Sequence, residues 1–278
     1  MRRTALSVVV LAAIVGTPAL AADMALKAPP APPPAPSWTG WYVGGDVGAI
    51  WGNDPGSVAT GPTPATAGVP GTPAPAPLSI PLASGTQSSL LGGIQGGYNY
   101  QMGNYLLGVE GDVRGSGLSM NTTLTAATAL AGENAIAGNS FTQRLLVDGS
   151  LRGRAGFIWN DLLVYGTGGL AVADTSFTSS FQPTIAAGLP FPGGLGTATA
   201  VLVGYTVGGG LEYRWSPNWT FGVEGRYSNY GSANYSLGTR STFGGGTPAA
   251  PIFAFAPVSA NVGLNTGEVL FRVNYLFH

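Results

Sequence analysis

The sequence predicts an all-β chain: an eight-stranded antiparallel transmembrane β-barrel with short periplasmic turns and four long extracellular loops. Three observations carry this. The stretch Tyr205–Tyr227, YTVGGGLEYRWSPNWTFGVEGRY, alternates with a period of two on either side of Ser216, Pro217 and Asn218, which makes it a β-hairpin. Its faces run opposite to those of a soluble hairpin. Tyr205, Val207, Leu211, Tyr213, Trp215, Trp219, Phe221, Val223 and Tyr227 share one side, while single charges of both signs sit among glycines on the other, as an apolar exterior around a polar interior requires. Finally, the connections between predicted strands alternate long and short, and an even strand number leaves both termini on the short-turn side.

The chain divides by composition. Residues 1–22 read as a signal peptide, with Arg2 and Arg3, an apolar run from Ala5 to Gly16, and small residues at a cleavage site after Ala21 or Ala22. That run is shorter than the ~20 residues a membrane helix needs. Residues 23–37 form a Pro-rich periplasmic lead, extended by APPAPPPAP over Ala28–Pro36. Residues 38–278 are the barrel domain. There is no cysteine, only 8% of residues are charged, and the formal net charge is -1, which removes disulfides, thiolate metal sites and any electrostatic case for nucleic acid.

Within the barrel domain the first strand is Trp41–Trp51, with Asp46 on its minor face. Gly52 to Ser88 follows, thirty-seven residues with eight prolines and one charge, a composition that reads as a long mobile loop. Leu90–Met102 and Tyr105–Gly115 are the next two strands, joined at Gly103 and Asn104, a two-residue hairpin signal. Glu110, Asp112 and Arg114 share one face of the latter. After a Thr- and Ala-rich loop, Arg144–Trp159 sets Asp148, Ser150, Arg152 and Arg154 against Leu145, Val147, Leu151, Phe157 and Trp159. Asn160 and Asp161 turn the chain into Leu162–Phe177, whose alternation does not declare an inward face. A loop from Thr178 to Thr199 leads into the hairpin described first. A last loop, from about Ser236 to Asn265, carries the apolar patch Ile252, Phe253 and Phe255, a partner contact or a self-packed tip. The closing strand, GEVLFRVNYLFH, sets Glu268, Arg272 and Asn274 against Val269, Phe271, Val273, Tyr275 and Phe277.

Thirteen charges fall on inferred lumen faces: Asp46, Glu110, Asp112, Asp148, Glu212, Glu224 and Glu268 against Arg114, Arg152, Arg154, Arg214, Arg226 and Arg272. Charges of both signs in a narrow interior are expected to pair, Glu224 with Arg214 or Arg154 for instance, because an unpaired one costs several kcal/mol. Glu110 and Asp112 as an acid–base or metal pair would be ~6.6 to 7 Å apart along a strand with Arg114 beside them, so an ion network is the reading. The one histidine, His278, is terminal, and no catalytic, metal or cofactor residue is expected. Trp41, Trp159, Trp215, Trp219, Tyr275 and Phe277 fall near one set of strand ends, as an interfacial aromatic girdle would.

At the stretches WTGWYVGGDVG, GGIQGGYNYQMGNYLLGVEGD, LRGRAGFIWNDLLVYGTGGLA and VGGGLEYRWSPNWTFGVEGRYSNYG the sequence resembles the small outer-membrane β-barrel, porin-family surface proteins of alphaproteobacteria, which include immunogenic surface antigens and haemin-binding members. The resemblance implies an eight-stranded barrel in the outer membrane and no enzymatic residues. It covers the strands and almost none of the loops. Members usually end on an aromatic residue read by the barrel assembly machinery, whereas here His278 follows Phe277. The expected function is that of an integral outer-membrane protein contributing to envelope structure and surface interaction. A narrow channel for small solutes and a lipid-modifying barrel enzyme are the alternatives. Expected partners are outer-membrane lipid and lipopolysaccharide, the assembly machinery through the last strand, and an extracellular partner at the loops.

Overall fold

The computed structural model describes residues 37–60, 79–82, 85–124, 138–182, 184–186, 189–191, 194–247 and 250–277. The predicted signal peptide and almost all of the Pro-rich lead lie outside them, as does His278. Among the described residues thirteen strands occur in order: β1 (Gly40–Asn53), β2 (Gly56–Thr60), β3 (Ser79–Leu82), β4 (Gln87–Met102), β5 (Tyr105–Ser116), β6 (Ser119–Thr123), β7 (Ser140–Trp159), β8 (Leu162–Phe181), β9 (Thr184–Ala186), β10 (Leu189–Phe191), β11 (Gly194–Arg214), β12 (Trp219–Thr247) and β13 (Ala250–Phe277).

Eight of them run β1-β4-β5-β7-β8-β11-β12-β13, each antiparallel to the next, and β13 pairs back onto β1 from Trp41↔Phe277 to Asn53↔Asn265. The sheet therefore closes on itself and has no edge through this stretch, the condition for backbone to cross a bilayer. The short connections are the expected ones. Gly103 and Asn160 take the left-handed conformation, with φ of 62° and 57°, in the turns joining Met102 to Tyr105 and Trp159 to Leu162. Each turn is tied to the next strand. Ile158 N donates to Asn104 O at 2.7 Å, Arg214 N to Asp161 O at 2.8 Å, and Leu276 N to Asn218 O at 2.8 Å.

Period-two alternation places large apolar groups outside and charges inside. On β7, Leu151 is 65% exposed and Arg152 1%. Leu162–Phe181 does declare its inward face once paired: Leu163, Tyr165, Thr167, Ala171, Ala173, Thr175 and Phe177 are buried. One expected face is wrong. Strict alternation sets Leu145 outward with Val147, but a register shift between them against β8 adds a residue to β7, so Leu145 is buried while Leu146 and Val147 both face out.

Farther from the short turns, the strands run on well past the residues that the composition marked as loop. β12 and β13 continue as one hairpin to Thr247↔Ala250, with shifts at Asn229/Ser232, Ser236/Thr239 and Phe243/Gly245, where a long loop from Ser236 to Asn265 was expected. β6 extends β5 along β7, and β2 pairs with β13 and with β3 inside the stretch expected to be a mobile loop. Proline and small residues lower intrinsic strand preference, but pairing to existing neighbours overrides it. Residues 61–78 lie outside the description, as do the side chains of Ile252, Phe253 and Phe255.

The polarity of the wall inverts in this extension. Val58, Ile80, Leu82, Leu124, Phe141, Phe177, Leu237, Val258 and Val262 form a buried apolar cluster inside it, while the outside is mostly Ser, Thr and Asn with Leu195 exposed among them. Beneath lies a second cluster with Ile50, Leu91, Leu118, Leu202 and Leu264, and at the short-turn end a third with Trp38, Tyr42, Leu106, Leu163 and Leu276. The charges lie between the second and third clusters.

Candidate functional site in the barrel lumen

The structure places all thirteen expected charges inside the ring, each buried. Their centre is a closed square. Arg152 reaches Glu110 through Nη2 and Glu224 through Nη1, the latter at 2.5 Å, and Arg272 reaches Glu224 through Nη1 and Glu110 through Nη2. Each carboxylate thus bridges two guanidiniums and each guanidinium two carboxylates, a geometry suited to Arg, whose planar fork presents parallel donors. Tyr42 donates to Glu110 Oε2 at 2.5 Å and Tyr165 to Glu224 Oε2 at 2.9 Å, and Arg272 Nη1 donates to the Tyr165 hydroxyl at 3.0 Å. Room for the second tyrosine comes from Gly210: a Cβ there would stand 2.8 Å from the Tyr165 hydroxyl oxygen.

Toward the extension, Asp112 meets Arg152 at 3.2 Å, Arg226 at 3.3 Å and Arg114 at 3.4 Å, and accepts from Ser150 at 2.7 Å. Arg114 also binds Asp148 and Glu268, and Arg226 binds Glu224 at 3.0 Å. Toward the short turns, Arg154 pairs with Glu212, which accepts from Thr220 and, at 2.9 Å, from Asn274. Arg154 also lies 3.9 Å over the Tyr165 ring.

Two expected members stay outside the ion pairs. Arg214 stacks on Trp38 at 4.3 Å, and its Nε and Nη2 have no hydrogen-bond partner among the described residues. Asp46 is met by Gln95, whose amide, turned to donate to Asp46 Oδ2 at 2.8 Å, can accept from Arg272 at 3.0 Å. The pairings Glu224–Arg214 and Glu224–Arg154 do not form, because Glu224 is taken by Arg152, Arg226 and Arg272. Sequence reasoning missed the tyrosines. Tyr42 could have been found from the parity of Asp46, whereas Tyr165 sits on the strand with the weakest alternation.

Trp41, Trp159, Trp215, Trp219 and Phe277 are exposed on the outer wall at the short-turn end, Trp215 the most at 71%. Tyr275 is half-buried between Trp219 and Phe277, with ring centroids at 5.2 and 5.0 Å. Among the described residues no group of three or more His, Cys, Asp or Glu could hold a metal ion.

A closed ring with charges inside and apolar residues outside is membrane architecture, and comparison with known sequences decides which kind. The profile of the outer membrane protein β-barrel domain matches residues 7–247. The chain belongs to this family. Among similar relatives of this outer-membrane barrel is the 31 kDa outer-membrane immunogenic protein of Brucella melitensis, 31% identical over 81% of this chain and 86% of the relative. The 22 kDa outer membrane protein of Rhizobium leguminosarum is 30% identical over 52% of this chain and 54% of its own length. Of solved structures, the outer membrane protein OprG of Pseudomonas aeruginosa is a distant likeness, 15% identical with a TM-score of 0.43 over 86% of this chain and 96% of that one. The short turns of the outer-membrane barrel are thus periplasmic and its strand extension extracellular.

Proposed function

We propose that the protein is a closed, non-enzymatic barrel that contributes to envelope structure and offers its extracellular strands to surface partners. The observation that carries this is the filling of the lumen: from the third apolar cluster through the ion square to the first, side chains occupy the interior. An eight-stranded ring is just wide enough for that, so among the described residues neither a solute path nor a substrate pocket is left at the charges. Of the thirteen expected lumen charges eleven act as one structural network, with Asp46 joined to it through Gln95 and Arg214 set apart on Trp38, and the outward aromatics at the periplasmic end are the interfacial girdle of the barrel. Residues 1–22 serve as a cleaved signal and 23–37 as a periplasmic spacer, and β13, ending at Phe277, is the strand the barrel assembly machinery engages. Single-channel recording of the refolded mature chain in planar bilayers tests the reading. No discrete conductance steps are expected, and reproducible steps would make it a channel.

A further inference from the structure

At the short-turn end of the lumen one buried charge lacks a counter-charge. Arg154 and Arg214 share a single carboxylate inside the wall there, Glu212, and Arg154 holds it. Asp161 acts on Arg214 too, but from the exposed turn before β8 and without forming an ion pair. Arg214 is 5% exposed, and a guanidinium cannot shed its charge by losing a proton. Nε and Nη2, its two nitrogens without a hydrogen-bond partner among the described residues, form one edge of the fork, whose parallel donors match two oxygens of one anion. The flat face of the same group rests on Trp38 at 4.3 Å, which fixes the orientation of that edge.

Trp38 is also the cover of this end. It is buried, it precedes the first residue of β1, and its backbone N donates to Gln101 Oε1 at 2.8 Å, while its indole Nε1 has no partner among the described residues. Lifting it opens the Arg214 edge to solution at the barrel mouth, beside the turn of Ser216, Pro217 and Asn218, and leaves the ion square untouched. We propose that Arg214 binds a small carboxylate through its Nε–Nη2 edge at this mouth, with Trp38 swinging aside to admit it. One negative charge balances the one positive charge in excess, and Glu212 and Asp161 nearby disfavour an anion of higher charge. Chloride offers a single atom to two parallel donors. Because only the uncovered state exposes the fork, the carboxylate shifts the cover toward that state. The placement of the site on the periplasmic side rests on the outer-membrane reading, whereas its chemistry does not.

The test places a nitroxide on Ser37→Cys, in a chain with no other cysteine, and titrates the refolded protein in detergent with sodium acetate, sodium chloride and sodium phosphate at matched ionic strength. Acetate is expected to mobilise the label with a midpoint on the order of millimolar, as one charge-assisted fork working against a buried indole allows. Arg214→Met should abolish the response, and Arg214→Lys, which has no fork, should weaken it about tenfold. Trp38→Ala removes the cover, so half-saturation read from the acetate dependence of the urea midpoint should come at about tenfold lower acetate than in the wild type. No response to acetate in the wild type, an equal response to chloride or phosphate, or a response that survives Arg214→Met overturns the proposal. Should Arg214→Met not refold, Arg214→Lys and the comparison of the three salts on the wild type decide. A chain that folds to a heat-modifiable band and ignores acetate sinks this inference alone, whereas a chain with no such band sinks the outer-membrane reading.

Discussion

Each guanidinium of the central square serves two carboxylates, so removing any one member strands its neighbours in a dry interior. Glu224→Gln or Arg152→Met alone is expected to destabilise the barrel by about 3–5 kcal/mol, since each leaves a buried charge uncompensated. The double variant should recover much of that loss, because Glu110 and Arg272 still face one another with the charges balanced. Arg214→Met supplies the contrast: its guanidinium rests on Trp38 and touches no carboxylate of the square, so its effect should add to that of Glu224→Gln within about 0.5 kcal/mol. Urea refolding equilibria in lipid vesicles measure both cycles. Purely additive effects in the Glu224–Arg152 cycle would dissolve the square as an energetic unit.

At the scale of the strand, the β7 bulge yields a prediction that plain alternation would not. Leu146 is the extra residue, since Leu145 already faces in and Asp148 follows Val147 with the proper parity. Deleting Leu146 should therefore leave every other side chain on its own face and the protein heat-modifiable on gels. Deleting Gly153 should abolish refolding, because a one-residue slip in an unbulged segment sends Arg152 or Arg154 to the lipid side. The extracellular elements give a second test. Joining Thr60 to Ser79 through a short Gly-Ser linker keeps Val58, Ile80 and Leu82 in their cluster and should preserve insertion, whereas removing Gly52 to Ser88 deletes all three and should lower the urea midpoint. The sequence made the turns and the wall faces legible. Gly103–Asn104 and Asn160–Asp161 are strong local signals, and the period of two needs no neighbour to be seen. It did not reveal the bulge or the strand extensions, because Ala-, Thr- and Pro-rich segments become strand only through the partner already beside them.

For the whole molecule, the sequence showed which charges share the lumen but not who meets whom. Glu110 and Arg272 are 162 positions apart, and only the rotation of the closed ring brings them together. The same ring explains why polarity inverts along the barrel axis: bilayer outside demands an apolar outer wall and leaves the charges to the lumen, whereas polar surroundings outside the extension leave its apolar side chains to the interior. The chain has no cysteine, so a nitroxide can be placed on one engineered cysteine at a time without competing sites. Scanning β12 from Thr220 to Ser236 in lipid vesicles reads this arrangement most directly. Accessibility to dissolved oxygen should peak at Phe221, Val223, Gly225 and Tyr227 and fall at Thr220, Glu224 and Arg226. Beyond the shift at Asn229/Ser232, the outward positions Asn234 and Ser236 should instead respond to a water-soluble relaxant. An inverted phase, or oxygen accessibility without alternation, would contradict a barrel that carries its charges inside and its apolar wall toward lipid.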